Sequence, residues 1–187
     1  MSAVDGNITL VGTGGNGSGG NGVGIVILGG AGVSSSGNGS INVTGYGASG
    51  PGASNRGVTI ETSGARVTSV NGTISITGVG GGDGSGTDQY GVNIWDSGFV
   101  QSTGNGAISI TGTGGNGSSG DHGVVIGPSG GYVSTALNSS ISITGIAGNG
   151  TDSYGIKVES GSYVGNGTGT GNVTFKENSV LRRASSV

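Results

Sequence analysis

The stretch NGTISITG at residues 71–78 recurs along the chain about every 33 residues, and this recurrence decides the fold. Related stretches begin at Asp5, Asn38, Asn105, Asn138 and, in a weaker copy, Thr170. A period of this length is typical of repeat proteins, in which each copy buries its apolar face only against its neighbours. The chain contains 49 glycines in 187 residues, and without the period such a composition would indicate disorder.

Each repeat contains three short segments in which apolar and polar residues alternate, which is typical of β-strands. The apolar positions of the first segment are Ile8/Leu10, Ile41/Val43, Ile74/Ile76, Ile108/Ile110, Ile141/Ile143 and Val173/Phe175. Those of the second are Ile25/Ile27, Val58/Ile60, Val92/Ile94, Val124/Ile126 and Ile156/Val158, and the third centres on Val33, Val67, Val100, Val133 and Val164. Spacings of two residues and the density of glycine argue against helices.

Three strands per repeat predict an all-β fold, a parallel β-helix (β-solenoid) that forms a single domain over residues 1–187. About six coils are expected, beginning near residues 5, 38, 71, 105, 138 and 170. The glycine-rich segment between the first two strands varies in length, which is typical of surface loops. The last coil is expected to be shortened, with a tight turn at Glu177 and Asn178 in place of the loop.

Composition and charge exclude several classes of function. The net charge of −3, without a basic run, argues against nucleic-acid binding. The chain has no cysteine, and its longest apolar run, residues 23–28, is too short to cross a membrane. The first residues do not resemble a signal peptide, so any export signal is expected outside this chain. No cofactor is predicted.

The repeat combines NGAISITGTGG (residues 105–115) and a glycine-rich loop with YGVNI (residues 90–94 in the preceding coil). It resembles the repeats of large bacterial surface proteins. These are the filamentous-haemagglutinin-like and autotransporter-type adhesins. The resemblance covers residues 5 to about 176 and implies a right-handed β-helix. It also implies an exported bacterial protein, located extracellularly or at the cell surface. It says little about activity, because such folds carry adhesins, enzymes and plain stalks.

The two ends of the repeat pattern suggest self-association. Residues 2–6 align with residues 68–72, so the pattern begins at the end of a third strand, and residues 183–187 align with residues 66–70. Open strand edges pair with other chains, and a head-to-tail contact that does not close produces a filament. The predicted assembly residues are Ala3, Val4, Val180, Leu181 and Val187. The alternative is a segment of a longer adhesin.

Two columns of aromatic and charged residues are predicted on the surface. Outward positions of the third strand are Arg66, Phe99, Tyr132 and Tyr163, with Trp95 nearby in sequence, and the position before the second strand holds Arg56, Tyr90, His122 and Tyr154. The column of Phe99, Tyr132 and Tyr163 with Trp95 is a candidate platform for surface glycans or a partner protein. The alternative is a ladder of stacked rings that stabilises the register of the coils.

Weaker candidates concern ice, cations and catalysis. Outward Ser and Thr of the first strand form a two-column hydroxyl array that is reminiscent of β-helical ice-binding proteins, although such residues also suit exposed strands generally. Asp88, Asp121 and Asp152 follow the loops of three successive coils near His122 and are weak candidates for a cation or acid/base site. Asp121 stands one residue out of register with the other two.

The sequence therefore favours a non-enzymatic structural protein, whose main partner is a further copy of itself in a fibre, or which forms the stalk of an adhesin. A glycan- or host-binding adhesin module is the alternative. An ice-binding protein and a polysaccharide-active enzyme rank behind both.

Overall fold

The computed structural model describes residues 1–136, 138–167 and 169–178, which contain seventeen β-strands and no helix. The strands form three parallel sheets. The first sheet contains β2 (Ile8–Thr13), β5 (Ile41–Tyr46), β8 (Ile74–Val79), β11 (Ile108–Thr113), β14 (Ile141–Ile146) and β17 (Val173–Asn178). The second contains β3 (Ile25–Leu28), β6 (Val58–Glu61), β9 (Val92–Trp95), β12 (Val124–Ile126) and β15 (Ile156–Val158). The third contains β1 (Ser2–Ala3), β4 (Gly32–Ser35), β7 (Arg66–Ser69), β10 (Phe99–Ser102), β13 (Tyr132–Thr135) and β16 (Tyr163–Asn166).

Each strand pairs in register with its counterpart one repeat away. Ile74 of β8 lies between Ile41 and Ile108, and Ile76 lies between Val43 and Ile110. The β-solenoid predicted from the 33-residue period is therefore confirmed. The N-terminal alignment is also confirmed, because Ala3 pairs with Ser35, which in turn pairs with Ser69.

The core is a narrow column filled by the inward residues of the three sheets. Within β8, Ile74 and Ile76 are fully buried, whereas Ser75 and Thr77, which alternate with them, face outward and are half-buried. Valines of the third sheet, including Val67 and Val100, close the column from the remaining side. Few apolar residues suffice, since each one packs against the like residue of the coil above and below.

The terminal coils differ from the prediction. Val173 and Phe175, expected in the core, are 37% and 49% exposed, because β17 is the last described strand of its sheet and has a neighbour on one side only. The turn predicted at Glu177 and Asn178 is wrong, because β17 continues through both residues and pairs them with Gly145 and Ile146. The described residues thus form about five turns and the first strand of a sixth.

The glycine-rich segments between the first and second sheets are linked to one another along the axis. Their backbones stack from coil to coil through hydrogen bonds, such as Gly81 N–H to the Asn55 carbonyl and Gly115 N–H to the Gln89 carbonyl, both 2.7 Å. Short parallel bridges join Thr87 to Ser119 and Ser119 to Thr151. These segments therefore continue the solenoid wall as a fourth, irregular side.

Glycine at the end of the first-sheet strands has a steric cause. A Cβ added to Gly78, at the end of the first strand, would overlap the carbonyl oxygen of Gly91, just before the second strand of the same coil. By contrast, a Cβ on Gly15 in a loop of the first coil would meet no atom within 4 Å.

Gly78→Ala is expected to destabilise the fold by about 1–3 kcal/mol, since the added methyl group must displace packed backbone. Gly15→Ala is the matched control and is expected to be neutral or to stabilise by up to about 1 kcal/mol. Urea unfolding of both variants measures the difference. Equal stability of the two variants would show that the close approach at Gly78 carries no energetic weight.

Candidate functional site

The third sheet carries the aromatic ladder predicted from the sequence. The Phe99 and Tyr132 rings stack with centroids 4.8 Å apart, and the Tyr132 and Tyr163 rings stack at 5.1 Å, both nearly parallel. Arg66 continues the column on the preceding coil and donates hydrogen bonds to the Gly30 and Gly64 carbonyls. Burial raises the pKa of Tyr132 above its usual range. Only Tyr163, 52% exposed, offers a ring face widely to solvent.

Trp95 does not join that ladder. It ends β9 on the outer face of the second sheet, where its indole ring covers the backbone of Gly127 in the next coil. A Cβ on Gly127 would coincide with the ring, so glycine is required at that position to seat Trp95. The structure thus divides the predicted aromatic platform between two different sheets.

The other predicted column forms a second stack at the entrance to the second sheet. The Arg56 guanidinium lies 4.7 Å from the centroid of the Tyr90 ring, and the His122 ring lies 5.3 Å from both the Tyr90 and the Tyr154 ring centroids. Arg56 also lies 5.6 Å from the Trp95 ring and 3.8 Å from a carboxylate oxygen of Glu61. Cation–π contacts of this kind stabilise the folded state most when they are shielded from water.

His122 is buried and uncharged in this stack. Its Nδ1 accepts a hydrogen bond from the Tyr154 backbone N–H at 3.0 Å, so Nδ1 carries no proton. Burial, assisted by the positive charge of Lys157, lowers the pKa of His122 to about 4. For Tyr90, burial raises the pKa, as does the hydrogen bond that its hydroxyl donates to Asp88 at 2.9 Å.

The outer face of the second sheet between these side chains is buried, which the sequence analysis did not predict. Thr59, Asn93 and Val125 occupy successive outward positions and are at most 2% exposed. The amide nitrogen and oxygen of Asn93 have no hydrogen-bond partner, and the hydroxyl of Thr59 has none either. Buried polar atoms of this kind are rare in folded proteins and mark sites that need an explanation. A change of residue type at one outward position, from Thr59 to Asn93 to Val125, was the available signal in the sequence.

The three aspartates do not converge. Asp88 and Asp152 occupy equivalent left-handed turn positions, with φ of 60° and 50°, and Gly120 lies between them in the stack. They are therefore two coils apart, about 10 Å along the axis. Asp121 belongs to the neighbouring column, as its register indicated. No group of three or more metal-ligating side chains occurs among the residues with assigned positions.

Asp121 instead completes a buried polar ladder inside the loop wall. Its carboxylate accepts backbone N–H groups of Gln89, Gly117 and Gly150 at 2.8–3.2 Å. Asn55 and Gln89 occupy the equivalent positions in the two preceding coils. They continue the ladder, since the Asn55 N–H donates a hydrogen bond to Gln89 Oε1 at 2.7 Å. Burial raises the pKa of Asp121, and the three N–H donors oppose that shift.

The remaining candidates are the hydroxyl array and the predicted assembly residues. The hydroxyl array runs along the first sheet, with Thr44, Thr77, Thr111 and Thr144 in one column. Ala3 pairs at the edge of the third sheet and packs against the core, whereas Val4 is exposed. Val180, Leu181 and Val187 lie outside the described residues.

Comparisons of the chain with models of known protein families, with curated proteins and with solved structures found no match. The β-solenoid is thus shown by the structure itself, while the adhesin resemblance remains an expectation from the repeats. Over the described ranges, no helix has the length and apolar character needed to span a bilayer.

Lowering the pH is expected to destabilise the folded chain through His122. Because its pKa is lowered from 6.5 to about 4 in the folded state, the unfolded chain takes up the proton first as the pH falls. Neutral His122 therefore contributes to the free energy of unfolding in full above about pH 6.5, and this contribution is lost as the pH falls towards 4. The loss is about 2 kcal/mol after allowance for solvent screening. Urea unfolding between pH 7 and pH 4 measures it.

The variant His122→Phe is the control, because it keeps a flat ring between Tyr90 and Tyr154 but cannot titrate. Its stability is expected to depend less on pH over the same interval. Identical pH profiles for the wild type and this variant would contradict the assignment.

Proposed function

We propose that this chain is a non-enzymatic structural module outside the cell, a rigid β-solenoid whose copies stack head to tail into a fibre. The observation that supports it most strongly is the unbroken register of three parallel sheets along one axis. Each coil already binds the next by a simple translation, so the same contact is available at the ends of the stack. The repeat resemblance supports placement at a bacterial surface.

The described strands give the length that each copy would add to a stack. Six strands in the first sheet span about 24 Å of axis at the usual strand spacing. A heterologous head-to-tail contact repeated along the axis would extend that length without limit.

Both ends of the described stack present apolar side chains beside unpaired strand edges. At one end Val11, Val26 and Leu28 of β2 and β3 are exposed. At the other, Phe175 and Val158 line a recess together with Ile156 and Glu177. Unpaired edges of this kind template the addition of further strands, and we assign a second copy of this chain as the occupant.

Phe175→Lys is expected to weaken assembly, because a charge on the end face must be buried when copies stack. Tyr46→Lys is the matched control, since Tyr46 is similarly exposed (44% against 49%) but lies on the second coil, away from the ends. Sedimentation velocity over a range of concentrations, with electron microscopy of the same samples, measures assembly.

The wild type and Tyr46→Lys are expected to show a mass that rises with concentration and unbranched filaments. Phe175→Lys is expected to remain mainly monomeric. A wild type that stays monomeric at every concentration would refute the fibre.

A further inference from the structure

We propose that the outer face of the second sheet holds a binding site, centred on Asn93, for one neutral polyhydroxylated ring such as a sugar residue. This site is separate from the ends of the stack and independent of the fibre. It also differs from the ladder of Phe99, Tyr132 and Tyr163 on the third sheet.

The observation that carries the proposal is a concentration of unpaired polar atoms. Among the residues that the structure describes, the buried side-chain nitrogen and oxygen atoms without a hydrogen-bond partner all belong to this one face: Nε of Arg56, Oγ1 of Thr59, Nδ2 and Oδ1 of Asn93, and Nε1 of Trp95. A buried polar atom without a partner costs free energy. A ligand that supplies the missing hydrogen bonds would recover that cost upon binding.

The unpaired atoms define the chemistry of the ligand. Arg56 Nε, Trp95 Nε1 and Asn93 Nδ2 are donors, Asn93 Oδ1 is an acceptor, and the Thr59 hydroxyl can be either. Hydroxyl groups satisfy such a mixed set, because each both donates and accepts. The charge of Arg56 is already offset by Glu61 at 3.8 Å, which favours a neutral ligand over an anion.

Aromatic rings flank the polar atoms. Tyr90 precedes Asn93 by three residues and Trp95 follows it by two, and the Arg56 guanidinium lies within 5.6 Å of both ring centroids. Sites that combine apolar ring faces with a few fixed polar groups are typical of small-molecule recognition. With Arg56 rotated away, the C–H face of a sugar ring would pack on the ring faces that its guanidinium now covers, while the sugar hydroxyls reach the polar atoms beneath.

The Arg56 side chain reaches from Tyr90 across to Trp95 and Glu61, and so passes over the outward positions of the second sheet. Arg56 and Trp95 lie over the sheet, and the strand below them is fixed on both sides by the parallel ladders to β6 and β12. Ligand entry therefore requires rotation of these two side chains, with the sheet unchanged. The ion pair between Arg56 and Glu61 is long enough, at 3.8 Å, to give way easily.

The test uses the fluorescence of Trp95, which is the sole tryptophan of the chain and so reports on this site alone. The full chain is titrated separately with methyl β-D-glucopyranoside, N-acetyl-D-glucosamine and D-glucuronate. We expect a saturable change in emission with at least one of the two neutral probes, and a weaker response to the glucuronate anion.

Asn93→Val separates binding from folding. The next coil carries Val125 at the equivalent position with 1% exposure, so valine fits this ladder. The variant is expected to lose about tenfold or more in affinity, while its thermal unfolding midpoint rises by about 3 °C because unpaired atoms are removed. Ser75→Val, on the outer face of the first sheet, is the control and is expected to keep wild-type affinity.

Three results would overturn the proposal. They are no saturable response to either neutral probe, unchanged affinity in Asn93→Val, and a response to glucuronate only. If Asn93→Val fails to fold, Thr59→Val takes its place in the titration, and unchanged affinity in that variant overturns the proposal. Failure of this site leaves the sedimentation result for the fibre unaffected.

Discussion

The axial pairing of like residues in register, one coil on the next, is the interaction on which the rest of the structure depends. It satisfies backbone hydrogen bonds and packs Ile74 against Ile41 and Ile108 in the same step. A chain with so much glycine cannot fill a wide core, but a column one or two side chains across needs few large residues. Each apolar residue of an inner coil packs against a residue of the coil above and against one of the coil below.

The same constraint organises the polar residues. The Asn105 N–H donates to Asn71 Oδ1, and the Thr170 N–H donates to Asn138 Oδ1, each at 3.2 Å across one repeat. Aromatic side chains obey it too, since Phe99, Tyr132 and Tyr163 stack at the strand spacing. In a solenoid, a residue is therefore stabilised when its neighbours one repeat away match it.

The outer face of the second sheet departs from this rule. Thr59, Asn93, Val125 and Lys157 follow one another in a single column without a common chemistry. Their polar groups cannot form a continuous ladder, and Arg56 and Trp95 fold over them. Local conflicts of this kind in an otherwise consistent fold are where function is expected, which is why the binding proposal rests here and not on the more regular aromatic ladder.

The strands, their pairing and most of the core were predictable from the sequence, because a period of two residues within a period of about 33 leaves few alternatives. The prediction failed at β17 because pattern alone does not show that the last described strand has a neighbour on one side only, nor that it continues through Glu177. It also treated the glycine loops as surface decoration. Their stacking from coil to coil depends on Asn55, Gln89 and Asp121, whose contacts span separate coils.

The sequence by itself determined the repeat, the three strands of each coil and the residues that face inward, since these follow from local alternation and from recurrence. Only the tertiary structure decided which side chains meet across the outer surface. Trp95 and Phe99 are four residues apart, yet a turn sends them to different sheets. Arg56 and Trp95, far apart in sequence, are brought together because stacking places consecutive coils about 5 Å apart.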